Sequence, residues 1–456
     1  MMDVAMRVPD LATNDSFVTV IRWLVEVGQP VRRGQPLVEV QTDKSAVVVE
    51  SVVTGTLRSV SVRAGEETSA GEVIAVFDAE EGSATADNGP VTVSTMVQKV
   101  STSVPPAPAG STRVSFFESN RRARASRKEP ATPVHQSGRY DRDFLLGLYE
   151  RMVLIREFEE GVKFLFLEGA MPGTIHQCQG QEATAVGVCA ALGADDFITS
   201  TFRGHGHALA RGLAPESLLF ELFGASTGCC RGKGGSMHVG DMGLGMVPGI
   251  AIVGGGIPLA AGMALAMKMQ RRPGVVACFF GDGAVAEGAF HEGVNLAAVW
   301  DVPATFVCEN NLYGASTHVG RVMRNPRISD RAAAYGIRGE TVDGNDVLAV
   351  YEAARTAAEE CRDGRGPVLL ELLTYRRTGH SRRDACHYQP AEERESWARR
   401  DPIDRFGGLL REWGLADQTK LDQIRAVVEA RFRDAVAEAR RQPLPTADDL
   451  TTDVFA

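Results

Sequence analysis

Three textures follow one another along the chain. Over residues 4–78, short β-branched and aliphatic runs alternate with polar positions and break at glycine. Examples are Phe17-Val-Thr-Val-Ile, Pro36-Leu-Val-Glu-Val, Ala46-Val-Val-Val-Glu and Gly71-Glu-Val-Ile-Ala-Val-Phe. Period-two alternation over such short stretches predicts an all-β module. The module loosely repeats itself: Val27-Gly-Gln-Pro-Val-Arg-Arg-Gly-Gln-Pro-Leu corresponds to Arg63-Ala-Gly-Glu-Glu-Thr-Ser-Ala-Gly-Glu-Val. Two similar halves predict a small flattened barrel or sandwich. Residues 79–138 are rich in Ala, Pro, Ser, Thr and Gly, including Val104-Pro-Pro-Ala-Pro-Ala-Gly, and are expected to be a flexible linker. Residues 139–456 alternate helical patterns with short buried strands, which predicts an α/β domain with a mostly parallel sheet.

Composition narrows the functional classes. The net charge of −9 gives no general polyanion-binding surface, so no nucleic-acid partner is expected. The one basic cluster, Arg121, Arg122, Arg124, Arg127 and Lys128, falls in the linker and reads as solvated. No apolar run is long enough to span a bilayer, and Met1 to Asp10 has no secretory pattern. The Gly-rich stretch Val247 to Met269 holds Pro258 and reads as a loop followed by a buried helix. The eight cysteines lack metal-ligand spacing and read as reduced thiols, as in a cytoplasmic protein.

Two places carry candidate chemistry. Gln41-Thr-Asp-Lys44-Ser lies between the strands predicted at Leu37–Val40 and Ala46–Glu50, so Lys44 is expected at a hairpin tip. Farther on, the buried strand Val275–Phe280 runs into Gly281-Asp282-Gly283-Ala284, and the strand Ala304–Glu309 ends at Asn310-Asn311-Leu-Tyr313. Doubly wound sheets bind ligands at the carboxyl ends of their strands. Asp282, the Asn311 amide oxygen and a backbone carbonyl are hard oxygen donors of the kind Mg²⁺ takes, together with diphosphate oxygens. Gly281 and Gly283 let the backbone turn sharply beside a phosphate.

The first module resembles the lipoyl domain family. Asp43 and Ser45 flank the lysine, where biotin carriers have Met, so the resemblance implies a lipoyl group covalently attached to Lys44. Gly281-Asp-Gly with Asn311 resembles the thiamine-diphosphate signature. From about Tyr140 to Pro445 the chain resembles the alpha subunit of the first component of 2-oxo acid dehydrogenase complexes. The markers are His176-Gln-Cys-Gln-Gly-Gln-Glu182, Phe202-Arg203-Gly-His205-Gly-His207, Gly232-Lys-Gly-Gly-Ser-Met-His238 and Tyr375-Arg-Arg-Thr-Gly-His380-Ser381. The resemblance implies that Arg203, with Phe202 beside it, holds the diphosphate, and that Ala251 and Val253 support the aminopyrimidine. It implies Asp282, Asn311 and the Tyr313 carbonyl for Mg²⁺, Gly283 and Ala284 against the diphosphate, and His176 and His380 facing the thiazolium and substrate as catalytic groups.

The implied activity is oxidative decarboxylation of a 2-oxo acid, pyruvate first, with reductive acylation of a lipoyl group. Acetoin cleavage is the alternative; branched-chain 2-oxo acids, a non-catalytic lipoyl scaffold and a self-sufficient transketolase-type enzyme stand behind it. The glutamate that thiamine catalysis needs is expected from a separate beta subunit, because the chain after Pro445 is short and acidic. The implied partners are that subunit in an alpha2-beta2 assembly, a dihydrolipoyl acyltransferase core and dihydrolipoyl dehydrogenase. Phe202 stands where a Tyr is usual and Ala251 where a Gly is usual. The loop after Thr378 is rich in arginine (Arg382, Arg383), and Ser381 is expected to stay unphosphorylated.

Overall fold

The computed structural model describes residues 2–7, 17–41, 46–51, 53–69, 72–79, 94–96, 135–381, 384 and 386–454. The strands of the first unit are β1 (Met2–Arg7), β2 (Phe17–Trp23), β3 (Pro30–Val31), β4 (Pro36–Gln41), β5 (Ala46–Glu50), β6 (Gly55–Val60), β7 (Glu67–Ser69) and β8 (Val73–Ala79). They form two antiparallel sheets, ordered β1-β8-β6-β3 and β7-β2-β4-β5, as the alternation predicts. Val20, Leu37, Val38, Val40, Val49, Leu57, Ile74 and Phe77 fill a common core. Each such side chain contributes roughly 1.5–3 kcal/mol on burial.

β4 and β5 pair up to Gln41 opposite Ala46, so residues 42–45 form the connection between them. Lys44 itself lies outside the described residues. Within the expected linker, β9 (Ser94–Met96) adds an antiparallel strand to the open edge of β5, and open edges accept such pairing. The rest of residues 80–134 lies outside the described residues.

The second unit is built on a five-stranded parallel sheet of β10 (Phe197–Thr199), β11 (Val276–Gly281), β12 (Ala304–Asn310), β15 (Arg338–Asp343) and β16 (Val368–Leu373), ordered β10-β11-β12-β16-β15. β13 (Tyr313–Gly314) and β14 (Thr317–His318) form a small ribbon beside it. Every residue of β12 and β16 is buried, which explains their mostly apolar texture, although Glu309, Asn310 and Glu371 are buried with them. Its main helices are α1 (Arg142–Leu167), α2 (Glu182–Ala190), α3 (His205–Arg211), α4 (Pro215–Leu222), α5 (Gly256–Met269), α6 (Gly288–Val299) and α7 (Val347–Arg362). α6 links β11 to β12 and α7 links β15 to β16, as parallel pairing requires. α7 starts where the Asp346 carboxylate accepts the N–H groups of Leu348 and Ala349.

Candidate active site

Two strand ends make the floor of the site. β11 stops at Gly281, and Asp282, 2% exposed, opens the short helical turn Asp282–Ala286. β12 stops at Asn310, whose amide donates to Glu371 at 2.6 Å while its oxygen accepts the N–H of Leu312 at 3.2 Å. Leu312 has φ +76°, a left-handed conformation that is uncommon for leucine and turns the chain sharply there. The Asn311 amide nitrogen donates to Gln181 Oε1 at 2.9 Å, which fixes Oδ1 as the free-facing acceptor; that oxygen takes only a long N–H contact from Tyr313 at 3.3 Å. The two exits touch backbone to backbone. A Cβ at Gly283 would sit 3.2 Å from the Gly314 Cα, and a Cβ at Gly314 would sit 3.1 Å from the Gly283 Cα.

Above this floor lies a cavity of about 600 Å³. It is lined by Asp282, Asn311, Arg203, Arg376, His176 and His380 together with the predicted Phe202, Ala251, Val253, Gly283, Ala284 and Tyr313. All the candidate residues of the second unit therefore meet in one place.

Two buried guanidinium groups face the cavity. Arg203 donates to the carbonyls of Gln177 at 2.5 Å and His380 at 2.9 Å. Arg376 donates to the carbonyls of Ala315 at 3.0 Å and Thr378 at 3.1 Å, to the Tyr388 hydroxyl at 2.6 Å and, at 3.4 Å, to the Tyr313 carbonyl. Neither forms an ion pair with a carboxylate among the described residues. Burial, and then the like charge of Arg376, pull the Arg203 pKa below its ordinary value. A desolvated cation facing a cavity is costly until an anion enters, so the pair fits a doubly charged ligand such as a diphosphate.

At one end of the cavity the rings of His176, Phe202 and His380 stand edge to face, with centroids 4.7 to 5.5 Å apart. Residue-type reasoning alone makes His176 a surface or capping histidine; the structure buries it, and its Nδ1 has no hydrogen-bond partner. Burial, then the charge of Arg203, pull its pKa from 6.5 down to about 3. The imidazole is thus neutral at working pH, with an unused nitrogen for a substrate oxygen. The unfolded chain takes up this proton below pH 6.5 and the folded chain does not. The stability His176 confers is therefore complete above pH 6.5 and drains away as pH falls towards 3. Thermal melts between about pH 7.5 and 4.5 should show a shallower acid loss for His176→Phe than for the wild type; parallel curves would contradict this.

Two carboxylate–imidazole pairs are buried here, and Glu309 of one of them lines the cavity. Glu309 lies 3.3 Å from His207 Nε2 and accepts from the Thr184 hydroxyl, while the other ring nitrogen meets Ser200 at 2.8 Å. Glu159 lies 3.2 Å from His205, whose other nitrogen meets Ser236 at 3.0 Å. His238 bonds the Gly249 carbonyl at 2.8 Å. Cys229, Cys230 and Glu221 lie close enough together to suggest a metal. The Glu221 carboxylate, however, already accepts the N–H groups of Cys230, Gly232, Gly234 and Gly235, so it organises that loop. Sequence reasoning assigned no role to Arg376, Gln181 or Glu309. Arg376 was within reach, since it leaves the carboxyl end of the apolar strand β16.

Both units resemble known proteins. The Dehydrogenase E1 component family profile matches residues 150–448. The Biotin-requiring enzyme profile matches residues 4–77. The alpha subunit of the acetoin:2,6-dichlorophenolindophenol oxidoreductase of Bacillus subtilis is 47% identical over 312 residues, covering 68% of this chain and 93% of that protein. The subunit of the same name from Cupriavidus necator is 42% identical, covering 73% of this chain and 98% of that protein. The pyruvate dehydrogenase E1 component subunit alpha of Porphyra purpurea is 39% identical, covering 68% and 93%.

Proposed function

Since the chain belongs to the dehydrogenase E1 component family and carries a biotin/lipoyl-type domain at its N-terminus, we propose that it is the thiamine-diphosphate- and Mg²⁺-binding alpha subunit of a dehydrogenase that oxidises a small 2-oxo compound and acylates a lipoyl group. The observation that carries this reading is the pair of buried guanidinium groups, Arg203 and Arg376, meeting Asp282 and Asn311 in one cavity.

When bound, thiamine diphosphate supplies the electron sink that lets a bond to the substrate carbonyl carbon break. This chain's own residues would bind and orient it. Arg203 and Arg376 would hold the diphosphate oxygens. Asp282, the Asn311 amide oxygen and the Tyr313 carbonyl offer hard oxygens to Mg²⁺, and the backbone from Ala251 to Val253 supports the pyrimidine end. His176, neutral, and His380 donate to the substrate oxygen and steady it while the bond breaks. Phe202 keeps water from that end of the cavity.

Pyruvate is the proposed substrate. Acetoin is the second reading, favoured by the uncharged Phe202–His176 wall, where the described cavity lining has no cation besides Arg203 and Arg376, and by the names of two relatives. A separate beta subunit completes the site, with an acyltransferase core and dihydrolipoyl dehydrogenase downstream. Supporting a second chain, Ile252 and Val253 are exposed at the cavity, and Leu259, Leu296 and Val299 are exposed on α5 and α6. No helix among the described residues is long and apolar enough to cross a membrane, and cysteines outside any disulfide suit a cytoplasmic location. The test is to co-purify the chain with its beta partner and follow reduction of an artificial acceptor with pyruvate, acetoin and branched 2-oxo acids. Turnover that depends on thiamine diphosphate supports the reading and names the substrate; a formed assembly inert to all three sinks it.

A further inference from the structure

The wall made by the ends of β12 and β16 is held from outside the cavity by a helix that sequence reasoning passed over, α8 (Ala391–Ala398). One oxygen of Glu393 accepts the Tyr313 hydroxyl at 2.6 Å and the Tyr375 hydroxyl at 3.2 Å. Trp397, one turn farther along the helix, stacks on the Tyr375 ring at 5.5 Å with an interplanar angle of 7°. Tyr388, just ahead of the helix, packs on Tyr313 at 5.4 Å and receives the Arg376 guanidinium.

These contacts join two groups the proposed site uses. Tyr313 offers the carbonyl to the metal, and Tyr375 immediately precedes Arg376, which faces the diphosphate. The direct link between them, Arg376 Nη1 to the Tyr313 carbonyl, is 3.4 Å, at the weak end of hydrogen bonding. The strong link runs through the carboxylate, because hydroxyl bonds to an ionised acceptor are about twice as strong as neutral ones.

We propose that Glu393 is a positioning residue that clamps the Tyr313 carbonyl and the Arg376 guanidinium at a fixed spacing, so that metal and diphosphate are gripped as one unit. This rests on the thiamine-diphosphate reading of the cavity. The clamp acts on binding, since Glu393 is absent from the cavity lining.

The test uses the full chain assembled with its partner, as Glu393→Leu, Glu393→Gln and Tyr375→Phe. Affinity for thiamine diphosphate with Mg²⁺ is read by calorimetry, alongside kcat at saturating cofactor and the melting temperature. Loss of one charge-assisted bond is worth about a factor of ten or more, so Glu393→Leu should weaken cofactor binding by at least about tenfold. Glu393→Gln, which keeps an acceptor oxygen, should recover most of this, and Tyr375→Phe should lose about threefold with kcat nearly unchanged. An unchanged affinity in Glu393→Leu overturns the proposal, as does Glu393→Gln binding no better than Glu393→Leu. A fall in melting temperature and kcat at unchanged affinity assigns Glu393 a structural role and also overturns it. Failure of the underlying reading is separate: the wild-type assembly would then bind no thiamine diphosphate at all.

Discussion

Replacing Arg203 by Met should weaken thiamine diphosphate binding by about two to three orders of magnitude and leave the melting temperature of the unliganded protein unchanged or higher. Ordinary core substitutions lower both stability and function. Here the two should part, because the guanidinium is buried with no carboxylate partner among the described residues and stands near a second cation, Arg376. Before an anion arrives it is a desolvation cost, offset in part by the carbonyls of Gln177 and His380. A thioether of similar reach removes that cost and also removes the two donors a diphosphate needs. Residues tuned for ligands commonly oppose stability in this way. Scanning calorimetry without cofactor and a titration with it decide the matter. A variant that melts many degrees lower yet binds normally would make Arg203 a structural residue and remove the main support for the cavity's assignment.

The second large effect concerns Lys44, the proposed lipoyl attachment site. Arginine keeps the charge but cannot form the amide bond to a lipoyl group, so Lys44→Arg should abolish the modification, as read by intact mass. Reduction of an artificial acceptor, which needs only the cavity, should change by less than about twofold. Flux through the lipoyl group should fall by about two orders of magnitude, the local-concentration advantage a tethered carrier gives. Equal flux in variant and wild type would make the fused domain dispensable to its own active site.

The strand ends were legible in the sequence because apolar runs stop abruptly at polar, glycine-bracketed residues. Val275–Phe280 was predicted and Val276–Gly281 is found; Ala304–Glu309 was predicted and Ala304–Asn310 is found. Hydropathy fails where polar residues are buried. Gln177, Gln179, Gln181 and Glu182 look like a solvated helix start, yet all are at most 2% exposed. Their partners come from elsewhere: Gln181 meets Asn311, and Gln177 reaches the Glu159 carbonyl. No periodicity encodes such pairings. His176 is the sharpest case, since only tertiary packing against Phe202 and His380 distinguishes a neutral buried imidazole from a solvated one. Glu393 was invisible for the same reason, lying 80 residues from Tyr313, which it grips.

The touching backbones of Gly283 and Gly314 give the proposed metal site a fixed gauge. Mg²⁺ takes oxygens at about 2.0–2.1 Å and Ca²⁺ at about 2.3–2.6 Å, a difference of a few tenths of an ångström. The glycine contact sets the closest approach of the loop carrying Asp282 to the loop carrying Asn311 and Tyr313. The lower limit on the spacing of the proposed oxygen donors thus comes from two residues that offer the metal no side-chain oxygen. A designer who wanted this scaffold to take a larger metal would leave the oxygen donors alone and widen the gap between two hydrogen atoms.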